Sequence, residues 1–155
     1  MVCLDGFYLS YTAEPVEVPN QEVVDNYLAP RKPNYKPDIN NPATFFSTCP
    51  VTSSELYEFR YNQSQAMKEA LTVVKQVGIK YGEIFGRSYG LLDSYMVEDA
   101  DLVLVTAGTT ASTTRMVVDK LRSENVKAGL LKIRLFRPFP KEEIITALGL
   151  SLIHI

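Results

Sequence analysis

The rhythm of apolar and polar positions divides the chain into three stretches. In residues 1–51 apolar side chains are frequent, among them Leu4, Phe7, Tyr8, Leu9, Tyr11, Val16, Val18, Val23, Val24, Tyr27 and Leu28, but they keep no helical or strand period. Seven of the nine prolines fall here: Pro15, Pro19, Pro30, Pro33, Pro37, Pro42 and Pro50. Each removes an amide donor and restricts its predecessor, which excludes long helices. The pattern predicts an extended arm laid across another surface. Within it only Asn20 to Leu28 reads as a short helical turn, with Asn20 as its cap. Asp5-Gly6 reads as a turn.

Residues 52–90 form a helical connector. Thr52 and Glu55 have capping-box spacing, with Val51 as the apolar contact outside the cap. Leu56, Phe59, Met67, Leu71, Val74 and Val77 then recur at three- and four-residue intervals. Gly78 or Gly82 is expected to interrupt this helix, and Tyr81 to Gly90 to form a loop or a frayed end.

Residues 91–155 carry the clearest fold signal. Asp101 to Gly108 is a nearly continuous apolar strand ending in glycine. A helix capped by Thr109 or Thr110 follows to about Asn125, with Met116, Val117, Val118 and Leu121 on its inner side and Gly129 as its break. Leu130 to Leu135 is a second strand. Pro140 suits a first helical position, with Glu142 and Glu143 in the favourable first turn, Ile144, Ile145 and Leu148 as the buried stripe, and Gly149 as its end. Ser151 to Ile155 reads as a further strand. This order predicts an α/β fold, a partial parallel sheet with right-handed crossovers, preceded by the arm and the long helix. Three strands are few, so cover is expected from the helix, the arm or a partner subunit.

Composition narrows the function. Charged residues make up 22% of the 155 and the net charge is -2, without the basic excess of a nucleic-acid surface. No apolar run reaches a bilayer span, and the N-terminus lacks the pattern of a secretory signal, so a soluble, cytoplasmic chain is expected. Two cysteines, Cys3 and Cys49, and one histidine, His154, give no metal or cluster spacing. Met67, Met96 and Met116 read as core filling.

Candidate contacts are few. Arg137, in Arg137-Pro-Phe-Pro140, can hold a carboxylate or phosphate, fix a subunit contact, or close its loop over backbone carbonyls. Arg134 reads as a strand residue on the solvated or partner side. Thr109 and Thr110 open a helix after a strand, where α/β sheets bind anions; the same residues equally make an ordinary helix start. Asp5, Glu14 and Glu17 show no convergence. Glu98, Asp99 and Asp101 are expected to face water. His154 alternates with Ile153 and Ile155 and has no catalytic context.

The strings DGFYLSYTAEPVEVP (Asp5 to Pro19), EDADLVLVTAG (Glu98 to Gly108), VVDKLR (Val117 to Arg122) and GLLKIRLFRPFP (Gly129 to Pro140) resemble the alpha subunits of 2-oxoacid:ferredoxin oxidoreductases, in order and over nearly the whole chain. Asp5 to Ser10 is closer to the pyruvate and branched-chain enzymes than to the 2-oxoglutarate ones. Tyr11 departs from the histidine often found after that Leu-Ser pair. The resemblance implies a pyruvate:ferredoxin oxidoreductase component: decarboxylation of a 2-oxoacid to an acyl-coenzyme A, with electrons passed to ferredoxin. It implies a holoenzyme with thiamine diphosphate, magnesium, iron–sulfur clusters and coenzyme A. The partners it implies are a thiamine-binding beta, a ferredoxin-like delta and a gamma subunit. The segment would join the end of a thiamine domain to the front of a domain resembling the transketolase C-terminal domain. On this reading it lies outside the active site and holds no cofactor itself. The alternatives are a homo-oligomer or a non-catalytic binding domain of the same descent.

Overall fold

The computed structural model describes residues 2–28, 30, 40, 53–149 and 153–154. The chain divides into two units, Glu17–Ala66 and the combination of Met1–Val16 with Met67–Ile155. Cys49, Thr52 and its capping box, and most of the proline-rich stretch lie outside the described residues.

In the larger unit a sheet is built from β1 (Leu92–Tyr95), β2 (Leu102–Ala107), β3 (Ala128–Ile133) and β4 (Ile153–His154), in the order β1-β3-β2-β4. The pairs β2–β3 and β2–β4 are parallel, as the strand-helix-strand pattern predicts. β1 was not foreseen. It pairs antiparallel with β3 and makes the sheet mixed. Its four residues, Leu-Asp-Ser-Tyr, are too short and too polar to stand out as a strand.

Alternation along the strands separates two cores. Val103 and Leu131 join Val97 and Ala100 on one face, where Ile144, Ala147 and Leu148 of α5 (Lys141–Leu148) pack. Leu130 and Ala128 face the other way, against Ala111 and Val118 of α4 (Thr110–Ser123), with Leu104, Leu121 and Tyr95 around them. Val103, Val118 and Leu131 are fully buried, worth about 2 kcal/mol each at ordinary transfer energies.

Several expectations need correction. In α4 the inner positions are Ala111, Thr114 and Val118; Met116 and Val117 are exposed. The 3.6-residue period starting from Ala111 selects that face, and the larger side chains at 116 and 117 fall outside it. α4 ends at Ser123, two residues short of the expected Asn125, and its stop is Asn125 rather than Gly129. Asn125 adopts φ 63°, and the Val126 amide donates to the Leu121 carbonyl at 2.9 Å, a left-handed helix stop. Gly129 lies inside β3, where a Cβ would stand 2.5 Å from the Met96 carbonyl oxygen. Met96 is exposed, with φ 52°, in the turn that crosses there. Pro140 precedes α5 rather than opening it, and Ile145 is exposed while Ile144 and Leu148 meet the core.

α3 (Ser53–Phe85) runs unbroken through Gly78 and Gly82 and ends at Gly86, whose φ of 69° only glycine adopts freely. The two internal glycines are approach points. A Cβ at Gly78 would lie 2.3 Å from the Tyr89 carbonyl oxygen, and one at Gly82 2.9 Å from the Ser88 Cβ. The segment after α3 thus folds back along it, with Tyr81 and Tyr89 ring centroids 5.8 Å apart. Met67, Leu71, Val74, Gly78 and Tyr81 form the half-buried stripe. Lys75 of α3 pairs with Glu143 of α5.

The start of the larger unit is not wholly extended, because α1 (Tyr8–Tyr11) forms one turn there. In the smaller unit α2 (Gln21–Tyr27) begins as expected at Asn20, whose side chain accepts from the Glu22 amide at 3.1 Å. Leu56 and Phe59, in the part of α3 belonging to that unit, are exposed.

Candidate functional site

The chemistry-bearing side chains gather around β2, β3 and the ends of α4. β2 ends at Ala107, and Gly108, with φ 64°, turns the chain into α4. Thr109 does not cap the helix with its side chain. Its hydroxyl donates instead to Asp5 Oδ2 at 2.8 Å. Asp5 Oδ1 accepts from the amides of Phe7 and Tyr8 at 2.9 and 2.8 Å. These bonds, that from the Phe7 amide foremost, hold the Asp5 carboxyl below its ordinary 3.8. The chain's own carboxylate therefore occupies the Thr109 hydroxyl. Thr110 is exposed, and its carbonyl accepts from the Thr114 hydroxyl at 2.9 Å.

Arg137 precedes a cis peptide to Pro138 and is exposed. Among the described residues it makes no hydrogen bond or ion pair, so it closes no loop here. Glu14 and Glu17 are exposed. β4 places the His154 backbone beside Val103.

Arg122, at the other end of α4, is the guanidinium with a built surrounding. Its Nε donates to the Ala128 carbonyl at 2.6 Å and Nη2 to the Met96 carbonyl at 2.7 Å. Nη1 and Nη2 also reach Asp99 Oδ2 and Oδ1, each at 2.8 Å. Asp99 therefore does not simply face water. The two hydrogen bonds from Arg122 hold it below its ordinary 3.8 and push the guanidinium up. Arg134 donates to Asp93 Oδ2 at 2.7 Å and lies 5.3 Å from the Tyr89 ring centroid. Glu143 is held below its ordinary 4.5 by its hydrogen bond from Lys75. Only position within VVDKLR distinguished Arg122 in the sequence. A basic residue in the last helical turn is common, and nothing local announces its distant partners.

Two hollows adjoin these groups. One, of about 270 Å³, is mainly apolar and lies between the α3 residues Val74, Val77, Gly78 and Tyr81 and the returning Tyr89 and Leu135. The other, of about 210 Å³, is polar and lined by Asp93, Ala111, Ser112, Arg115, Leu130 and Lys132. Among the described residues no three His, Cys, Asp or Glu side chains converge as a metal cage, and Cys3 is an exposed free thiol. That donor set does not fit an iron–sulfur cluster. No described helix is long and apolar enough to cross a membrane.

Comparison with known proteins assigns the fold to a lineage. Residues 100–153 match the family described as pyruvate:ferredoxin oxidoreductase core domain II. The chain is 42% identical over 95% of its length to pyruvate synthase subunit PorA of Methanothermobacter thermautotrophicus. Over nearly its whole length the chain is thus similar to subunits of 2-oxoacid oxidoreductases of this family. It is also similar to PorA of Methanosarcina barkeri, at 43% identity over 95% of the chain, and to ketoisovalerate oxidoreductase subunit VorA of Pyrococcus horikoshii, at 43% over 94%. It spans 38%, 36% and 37% of the lengths of these three relatives.

Proposed function

We propose that this chain is a scaffold and interface component of a 2-oxoacid:ferredoxin oxidoreductase acting on pyruvate. The whole enzyme would convert a 2-oxoacid and coenzyme A to an acyl-coenzyme A and carbon dioxide, with electrons passed to ferredoxin. The observation that carries this reading is an alignment over 95% of the chain with pyruvate synthase alpha subunits. Residues 1–51 would serve as the arm, 52–90 as connector, and 91–155 as the α/β domain resembling that of transketolase.

The architecture supports a structural role. Arg122, Arg134, Lys75 and Asp5 are each committed to a neighbouring side chain of this chain. Thiamine diphosphate, magnesium, iron–sulfur clusters and coenzyme A would be held by the rest of the enzyme, in the cytoplasm. Exposed Phe7, Tyr8, Tyr11, Val16 and Val18 offer an apolar arm for that assembly. Arg137, exposed in the loop before α5, would serve as an intersubunit contact, and Thr110 as a second.

The test is recovery of the chain from its native cells by affinity, with mass spectrometry of what accompanies it. Thiamine-binding and iron–sulfur subunits at matched stoichiometry are expected. Recovery of the chain alone, with no longer form of it detected, would overturn the proposal.

A further inference from the structure

We propose that the polar hollow between β1, β3 and α4 is a binding site for a small anion, a carboxylate or phosphate group. It lies on the α4 face of the sheet, toward the carboxyl ends of the parallel strands, where α/β sheets place their ligands. Lys132 is half-buried on β3, and Arg115 reaches in from α4. Neither forms an ion pair among the described residues. Asp93 stands opposite Lys132 in the ladder, but Arg134 already holds its carboxylate at 2.7 Å. Two cations thus face the hollow with one neutralised acid.

The neutral groups agree with that charge. Thr106 sits beside Lys132 in the β2–β3 register, and alternation puts it on the Leu104 face, toward α4. Its hydroxyl is buried without a partner among the described residues. The Ser112 hydroxyl, on the hollow's wall, makes no hydrogen bond there either. Arg115 is pre-positioned, its guanidinium 4.4 Å from the Tyr95 ring centroid, which limits the freedom lost on gripping a ligand. The volume of about 210 Å³ falls below the roughly 300–1,000 Å³ of drug-sized pockets, so it suits a small acid or one phosphate group. This inference does not rest on the proposed enzyme.

The test is a titration of the isotopically labelled 155-residue chain with inorganic phosphate and, separately, with acetate, at constant ionic strength, followed by amide NMR. Saturable shifts are expected at Ala111, Ser112 and Lys132. Saturation with one ion alone assigns that chemistry; saturation with both assigns a general anion site. Arg115→Gln and Lys132→Met should each weaken binding by about tenfold or more, as loss of a charge-assisted contact does. Lys120→Gln, away from the hollow, should leave it unchanged. Arg115 is exposed, so its variant keeps the test decisive if Lys132→Met does not fold. Shifts that never saturate, or that saturate equally in Arg115→Gln, would overturn the site.

Discussion

Arg122 holds Asp99 through two parallel hydrogen bonds of 2.8 Å, so that the last turn of α4 is fastened to the turn between β1 and β2. The same guanidinium satisfies the carbonyls of Met96 and Ala128. A planar fork is needed to meet four acceptors at once, and an ammonium lacks that geometry. Arg122→Lys should therefore lower the thermal unfolding midpoint by roughly 5–10 °C, while Arg137→Lys should move it by less than about 2 °C. Calorimetry of the two variants checks the contrast. Equal shifts would mean that Arg122 is not the fastening.

Gly129 and Gly86 separate two reasons for glycine. At Gly129 an added Cβ meets the Met96 carbonyl oxygen at 2.5 Å and the Val97 Cα at 3.0 Å, both backbone atoms. At Gly86 the space is open and only the positive φ objects. Gly129→Ala should cost about 2–3 kcal/mol of stability by forcing the turn off β3, and Gly86→Ala about 1 kcal/mol. Urea unfolding of both variants gives the comparison; a smaller loss at Gly129 would show that the turn can retreat.

Among the described residues, the Thr109 hydroxyl and the Asp5 carboxylate tie the start of the chain to the head of α4. Thr109→Val removes the hydroxyl that donates to Asp5 and leaves the buried sheet untouched. The Phe7 and Tyr8 amides should then exchange with solvent several-fold faster, and protease should nick the first sixteen residues sooner, with the thermal midpoint nearly unchanged. Unaltered exchange at those amides would mean that the arm is held by other contacts.

Acid should destabilise this chain through its carboxylates. Asp5 and Asp99 lie below their ordinary 3.8, and Glu143 below its ordinary 4.5. The folded chain therefore binds fewer protons than the unfolded chain at pH values near these. Stability from the three groups is fully present above about pH 5 and is lost as pH falls through 4.5 and 3.8 toward the depressed values. Because these pairs are solvent-screened, the urea midpoint should fall modestly between pH 5 and about pH 3, and less so in Asp99→Asn. A midpoint flat across that range would contradict the assigned pairs.

The α/β order was legible because β2, α4, β3 and α5 are long enough for their periods to show. Asp101 to Gly108 marked β2 to within a residue at each end. β1 escaped because two of its four residues are Asp and Ser, and its place is fixed by partners on β3 about 40 residues away. Gly78, Gly82 and Gly129 misled for one reason. Glycine signals both a break and a close approach, and only the neighbour decides which. The polar hollow was equally invisible: Asp93, Ser112, Arg115 and Lys132 are scattered singly in sequence, and only the strand pairing brings them together.

Apart from Pro140, the buried apolar side chains among the described residues lie between Leu91 and Leu131. The core is thus written in one continuous stretch of about forty residues, with short loops to close. Low contact order of this kind favours rapid folding. That stretch should form first and alone as the chain emerges, with its Arg122 clasp shut before α5 arrives. The arm, though made before that stretch, would wait to be received: Asp5 can bind the Phe7 and Tyr8 amides beside it, but its second carboxylate oxygen has no partner until Thr109 has been set in place.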